Sequence, residues 1–265
     1  MNTLNTIKKA AFAALVIFIF SLSTVNAQND TMYIMKAGAI VGQYNVNTEI
    51  DSIIFYKPTI EEPTSGTFTD TRDGNLYDWV KIGNQIWMAE NLAYLPEVVH
   101  SNAEFQTQSS NGQPGYGVYG YDGNDVATAK SQSNYTTYGV LYNWYAVNTI
   151  DVCPDGWHLP TDAEWTELTD YLGENAGVKL KATGTGLWYD PNTGATNETG
   201  FTALPGGGRY FDGTFFNIGY VGKWWSATEF STYSAWYRHM HYHASDVLRA
   251  SSSKELGFCV RCLRD

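Results

Sequence analysis

Histidine recurs at every second position in His239-Met240-His241-Tyr242-His243, the densest group of candidate ligands in the chain. On a strand, alternate residues share a face, so the three imidazoles line up, and the neighbouring pair His239 and His241 has the spacing to chelate zinc or copper. The outer two lie about 13 Å apart by strand rise, so one ion cannot take all three. A third ligand has to come from elsewhere, and the sequence nominates none. The plainer alternative is a solvent-facing row of rings opposite inward Trp236, Met240 and Tyr242.

The sulfur chemistry rests on Cys153, Cys259 and Cys262. In an extended C-terminal strand Cys259 and Cys262 point to opposite faces and do not pair with each other, which leaves Cys153 two candidate partners. As a metal-binding C-x-x-C pair they lack a second pair or a nearby histidine. Gly206-Gly207-Gly208 lacks the lysine and following helix of a phosphate-binding loop, and no Ser/His/Asp pattern is present.

A third group is aromatic. Trp188, Tyr189, Tyr210, Phe215 and Phe216 fall in expected loops beside Asp190, Asn192, Asn197 and Asp212. Ring faces flanked by carboxylates and amides are what a sugar requires: stacking for its C–H face, hydrogen bonds for its hydroxyls. Trp224 and Trp225 are adjacent on an expected strand, so one faces the core and the other outward, and Trp225 joins the candidate contact set. Packing of a loop-rich fold is the alternative role for each ring. Oxygens of Asp190 and Asn192 are candidate ligands for a structural calcium.

These residues need a scaffold, and its best-defined piece is Cys153 to Trp165. Thr161 and Glu164 form a capping-box pattern, Trp165, Leu168 and Leu172 share a face, and Gly173 is a C-cap residue, so a helix is expected over 162–172. Strands are expected at 76–82 and 85–88 around a Gly83-Asn84 turn, a surface loop from Tyr94 to Thr137, and a short buried helix over 139–147. After Gly184 come about forty loop-rich residues, then strands at 223–226, 235–243 and 257–263.

The segment Gly156-Trp157-His158-Leu159-Pro160-Thr161-Asp162-Ala163-Glu164-Trp165 resembles the turn-into-helix segment of the Fibrobacter succinogenes major paralogous domain family. It is more distantly similar to that of the formylglycine-generating, sulfatase-modifying domains with their C-type-lectin-like fold. The closer resemblance extends over Asp73–Tyr77, Ile82–Leu92, Tyr142–Trp144, Gly200–Gly207, Trp224–Glu229 and Gly257–Cys262. It implies an α+β, C-type-lectin-like domain with two short helices, antiparallel strands and long loops. Because the family's ending usually has serine in place of Cys259, the resemblance implies a Cys153–Cys262 disulfide. The oxidase relatives use a cysteine pair near the C-terminus, which makes a thiol at Cys259 a rival catalytic reading; the spacing departs from theirs, and the Trp-Asn-Asp sugar motif of calcium-dependent lectins is replaced by Trp224-Trp225-Ser226.

Composition limits the remaining choices. The chain has 265 residues, 43% hydrophobic and 15% aromatic, with 19 tyrosines and 9 tryptophans, which suits one domain with appendages. Lys8 and Lys9, an apolar run over 10–20 and Val25-Asn26-Ala27 read as a signal peptide over 1–27, so the cell surface, the extracellular space or the periplasm is expected. Its removal takes away two positive and no negative charges, so the formal net charge moves from −11 to −13. That balance argues against nucleic acid as a partner. No later stretch could span a membrane. A small β appendage is expected over 28–56, a Pro-containing linker over 57–67 and the main domain over 68–265. The functional expectation is a non-catalytic recognition or adhesion module with glycan as ligand; the rivals are a metal- or thiol-dependent enzyme and a structural surface protein.

Overall fold

The computed structural model describes residues 31–36, 38–45, 63–149 and 152–265. The expected signal peptide and most of the expected linker lie outside the described residues. The chain divides into two units between Glu62 and Pro63.

In the first unit, β1 (Thr31–Lys36) pairs antiparallel with β2 (Ala39–Asn45), with an irregularity between Ile34 and Met35. Gly38 supplies the positive φ (81°) the connection requires. Of the β-rich patches that suggest two or three short strands in the expected appendage, the one at 53–56 lies outside the described residues.

The second unit is mixed α+β, with antiparallel sheets and short helices. Its larger sheet contains β3 (Ser65–Thr69), β4 (Leu76–Ile82), β5 (Gln85–Met88), β8 (Trp157–His158) and β14 (Leu263–Arg264), in the order β3-β4-β5-β14-β8. β4 and β5 turn at Gly83-Asn84 as their sequence dictates, with Ile82 opposite Gln85. β3 begins at Ser65, inside the expected linker, because Phe68 stacks on Tyr77 and Trp157 at 5.5 and 4.4 Å. The chain's end slots between β5 and β8: Leu263 pairs with both Trp87 and His158. That insertion brings Cys262 to Cys153, and the two form a disulfide across 109 residues. Cys259 is left free and buried.

The smaller sheet contains β11 (Val221–Ser231), β12 (Ser234–His241) and β13 (Leu248–Ser253), in that order and antiparallel. Both faces of β11 are covered. Trp225 enters a core with Tyr142, Trp144 and Phe258, whereas Trp224 enters a second with Trp87, Trp165, Trp188 and Phe201. Both tryptophans are therefore 0% exposed, and the outward one expected from strand alternation does not exist. The helix α5 (Asp162–Leu172) buries Trp165, Leu168 and Leu172 in the second core. Its capping box forms, with Glu164 N donating to Thr161 Oγ1 at 3.2 Å and Thr161 N to Glu164 Oε2 at 2.7 Å. Asp162 locks it to the sheet through Arg238 at 2.6 Å and Arg249 at 2.9 Å.

Further expectations need correction, among them the strand over 257–263, where only Leu263–Arg264 forms one. The expected surface loop over 94–137 holds α1 (Asn102–Ser110), α2 (Val126–Lys130) and α3 (Ser133–Tyr138), and a strand β6 (Tyr116–Gly117) pairs with β7 (Leu141–Tyr142). Tyr116 and Val118 are core residues, so the tyrosines and glycines there serve packing. The helix expected over 139–147 starts later, as α4 (Trp144–Thr149), because Val140 to Tyr142 run extended: Val140 N donates to Leu92 O and Tyr142 N to Phe258 O. After α6 (Ala176–Leu180), loops dominate to residue 220, broken by β9 (Gly208–Arg209) paired with β10 (Phe215–Phe216).

Long loops leave many carbonyls outside any ladder, and buried cations take them up. Lys181 Nζ donates to Thr193 O, His241 O and Ala244 O at 3.2, 3.3 and 2.8 Å. Arg209 bonds Gly213 O, His100 O and Asn102 Oδ1, and Arg261 bonds Met88 O, Phe201 O, Thr202 O and Asn91 Oδ1. All three are 0% exposed, and burial pushes their pKa values down: Lys181 to about 8, Arg209 to about 10 and Arg261 to about 9.

Candidate functional site

The histidine row lies on β12 and just beyond it. Odd positions of β12 share a face, so Tyr237, His239 and His241 line up opposite Trp225, Lys223 and Val221 of β11. Their rings continue one another: Tyr237 to His239 5.1 Å, His239 to His241 5.1 Å and His241 to His243 5.4 Å between centroids. From His243 the series passes to Tyr242 at 4.8 Å, to Tyr220 at 5.5 Å and to Tyr189 at 4.2 Å. At the Tyr237 end, Lys223 Nζ lies 5.4 Å from the Tyr237 ring and 5.0 Å from those of Phe216 and Phe258, and Phe216 in turn stacks on Tyr210 at 4.1 Å. The strip thus ends in two platforms, the exposed pair Tyr189 (50% exposed) and Tyr220, and the exposed Tyr210 (45%) on the half-buried Phe216.

Glycine sets the first platform. Gly219 has φ +80°, its carbonyl accepts from Tyr189 N, and a Cβ there would meet Tyr189 Cε2 at 2.7 Å. Lys181 fixes the loop behind it, joining Thr193 O to the carbonyls of His241 and Ala244. The Gly206–Gly208 run has a packing cause as well: a Cβ on Gly206 would meet Cys259 Sγ at 2.9 Å, and Gly207 passes against the Phe216 backbone with φ +63°.

Electrostatically the strip carries donors and no acid. Burial, then the positive charge available to His241 and Lys223, pushes the His239 pKa down to about 4, so its imidazole is neutral over the physiological range. Burial, then His243 and Lys223, pulls His241 down too. The adjacent ammonium opposes a divalent cation at this pair. Among the described residues no group of three or more His, Cys, Asp or Glu comes together to hold a metal.

The remaining sequence candidates scatter. Trp188, expected on the surface, is 1% exposed and gives its Nε1–H to Ala203 O, so it serves the core, as Trp225 does. Asn192 is buried and ties the loop to Ala182 O and Gly184 O through Nδ2, while its Oδ1 has no hydrogen-bond partner. Asp190 is exposed. Asp212 turns its own loop by accepting from Thr214 N and Oγ1. Cys259 is fully buried, and burial pushes its thiol up to about 12, the opposite of a reactive cysteine. Of the expected contact set the structure brings Tyr189 and Tyr210 into one strip, together with His239 and His241, the expected metal pair. Lys223 and Tyr220 complete it and escaped the sequence reading; a lone lysine inside the apolar Val221-Gly222-Lys223-Trp224-Trp225 strand was the available signal.

A model of the Fibrobacter succinogenes major domain matches residues 80–264. The chain belongs to that family. Within this Fibrobacter succinogenes major domain lie both tail cysteines, the capped helix and the whole ring strip, whereas the β1–β2 unit lies outside the match. No curated protein and no solved structure matches the chain.

Proposed function

We propose that this protein is an exported, non-catalytic recognition or adhesion module whose ligand is a glycan, bound along the ring strip. The observation that carries the reading is the pair of platforms, the exposed Tyr189 with Tyr220 and the exposed Tyr210 on Phe216, joined by a row of imidazoles. Flat ring faces take the C–H face of a pyranose, and the neutral His239 imidazole offers both a donor and an acceptor to its hydroxyls. Export is supported by the Cys153–Cys262 disulfide, which suits an oxidising compartment, together with the charged-then-apolar N-terminal sequence. No helix among the described residues is long and apolar enough to cross a membrane. A C-type-lectin-like scaffold belongs to the same proposal, supported by the order of strands, capped helix, long loops and strands, with β3 and β14 in one sheet.

Retention of the purified protein on a panel of plant and microbial polysaccharides tests the reading. Tyr189→Ala and Tyr210→Ala should each weaken binding about three- to tenfold, the worth of one aromatic contact. Tyr171→Ala, an exposed ring outside the strip, should leave it unchanged. Equal loss in all three variants, or no retention of the parent protein, removes glycan as the ligand.

A further inference from the structure

Lys223 is held differently from the fully buried cations Lys181, Arg209 and Arg261. Lys181, Arg209 and Arg261 are buried with carbonyl or amide oxygens placed to receive their N–H groups. Lys223 is half-buried and has none: among the described residues its ammonium makes no hydrogen bond and no ion pair, the faces of Phe216, Tyr237 and Phe258 lie 5.0, 5.4 and 5.0 Å from it, and its Nζ still reaches solvent. An ammonium packed beside rings keeps only part of its hydration, and a carboxylate reaching it forms a charge-assisted hydrogen bond. Cross-strand from it stands neutral His239, with His241 next along, and among the described residues no carboxylate is paired with either. From Val221 to Trp225 on β11 and from Tyr237 to His241 on β12 the chain carries no Asp or Glu, an exception in a chain of net charge −11. The Tyr210 platform adjoins it through Phe216. The neighbours ask for one ligand that is ring-shaped on one side and anionic on the other.

We propose that the strip takes an acidic polysaccharide, the uronate carboxylate on Lys223 and the pyranose ring against Tyr210. This rests on the glycan reading above and narrows it to one class of sugar. Burial holds Lys223 at about 8, and the groups facing it from β12, His239, His241 and Tyr237, supply no negative charge near neutral pH. Uronate affinity should therefore weaken between about pH 7 and about pH 9, where an ordinary lysine would stay charged.

The test compares polygalacturonate with the same polymer after reduction of its carboxyls, and with dextran sulfate. The parent protein should bind polygalacturonate about tenfold or more tighter than either, the worth of one charge-assisted hydrogen bond. Lys223→Met should abolish the difference and Lys223→Arg should keep most of it, with folding checked by Tm and near-ultraviolet circular dichroism. Should the Met variant fail to fold, competition by free galacturonate and the pH profile on the parent protein decide the matter. Equal binding to the native and reduced polymers, or to dextran sulfate, overturns the uronate assignment while leaving the glycan reading intact. Binding to no polysaccharide overturns both.

Discussion

His158 sits between two carboxylates, with Nδ1 2.6 Å from Asp265 Oδ1 and Nε2 3.0 Å from Glu164 Oε1. Burial opposes its charge, but the hydrogen bonds to Asp265 and Glu164 outweigh that and hold its pKa above the ordinary value. A histidine raised in the folded state stabilises fully below its unfolded pKa of about 6.5, and the contribution is lost as pH rises through the folded value. Thermal melts should therefore show the deficit of His158→Gln largest near about pH 5.5 and shrinking toward about pH 8; a deficit independent of pH refutes the ion-pair role. At the same scale, the sequence made Tyr189, Tyr210 and the histidine row legible because exposed rings in loops and alternation on a strand are local patterns. Trp188 and Trp225 were not legible, since nothing local reveals that a second layer covers the outer face of β11. Lys223 was hidden by the same fact, its partners being set by cross-strand register.

Among the elements, α5 followed from its sequence because cap, apolar face and terminating glycine all agree. Thr161→Ala should cost about 1 kcal/mol of unfolding free energy in denaturant melts, the worth of an N-cap. Ser101 and Glu104 carry the same capping-box pattern, and the box forms at α1 with Ser101 N donating to Glu104 Oε2 at 2.9 Å. That signal was present in the sequence, but the surrounding glycines and polar residues masked it. β13 was hidden for another reason: Leu-Arg-Ala-Ser-Ser-Ser has a weak strand composition, and pairing with β12 supplies what propensity does not. Gly219→Ala should move Tyr189, because a Cβ there meets its ring and φ is +80°. The variant should weaken glycan binding about as much as Tyr189→Ala does; unchanged binding in a folded variant would show that the platform does not depend on this turn.

Over the whole molecule, a loop-rich chain is closed by its tail. Leu263 enters the larger sheet, Cys262 bonds to Cys153, and Arg261 satisfies four oxygens around Met88, Asn91, Phe201 and Thr202. Removing the disulfide as Cys153→Ser with Cys262→Ser should cost about 5 kcal/mol in the chain-entropy account of a loop this long. Arg261→Met leaves those buried oxygens without donors and should cost about 2 to 4 kcal/mol, read by denaturant titration. The pairing of Cys153 was left open by the spacing of the cysteines and was indicated through the family ending. The insertion of the last strand between β5 and β8 is a long-range event that no local pattern announces. The tail thus holds the frame while the loops over 184–220 are free to present rings. Chemical-shift mapping with a polysaccharide fragment tests that division of labour most directly: the account predicts perturbed resonances at Tyr189, Tyr210, Tyr220, Lys223 and the 239–243 row. Perturbations confined instead to the open groove of about 830 Å³ between Ser65, Lys81 and Tyr171, or absent altogether, would contradict it.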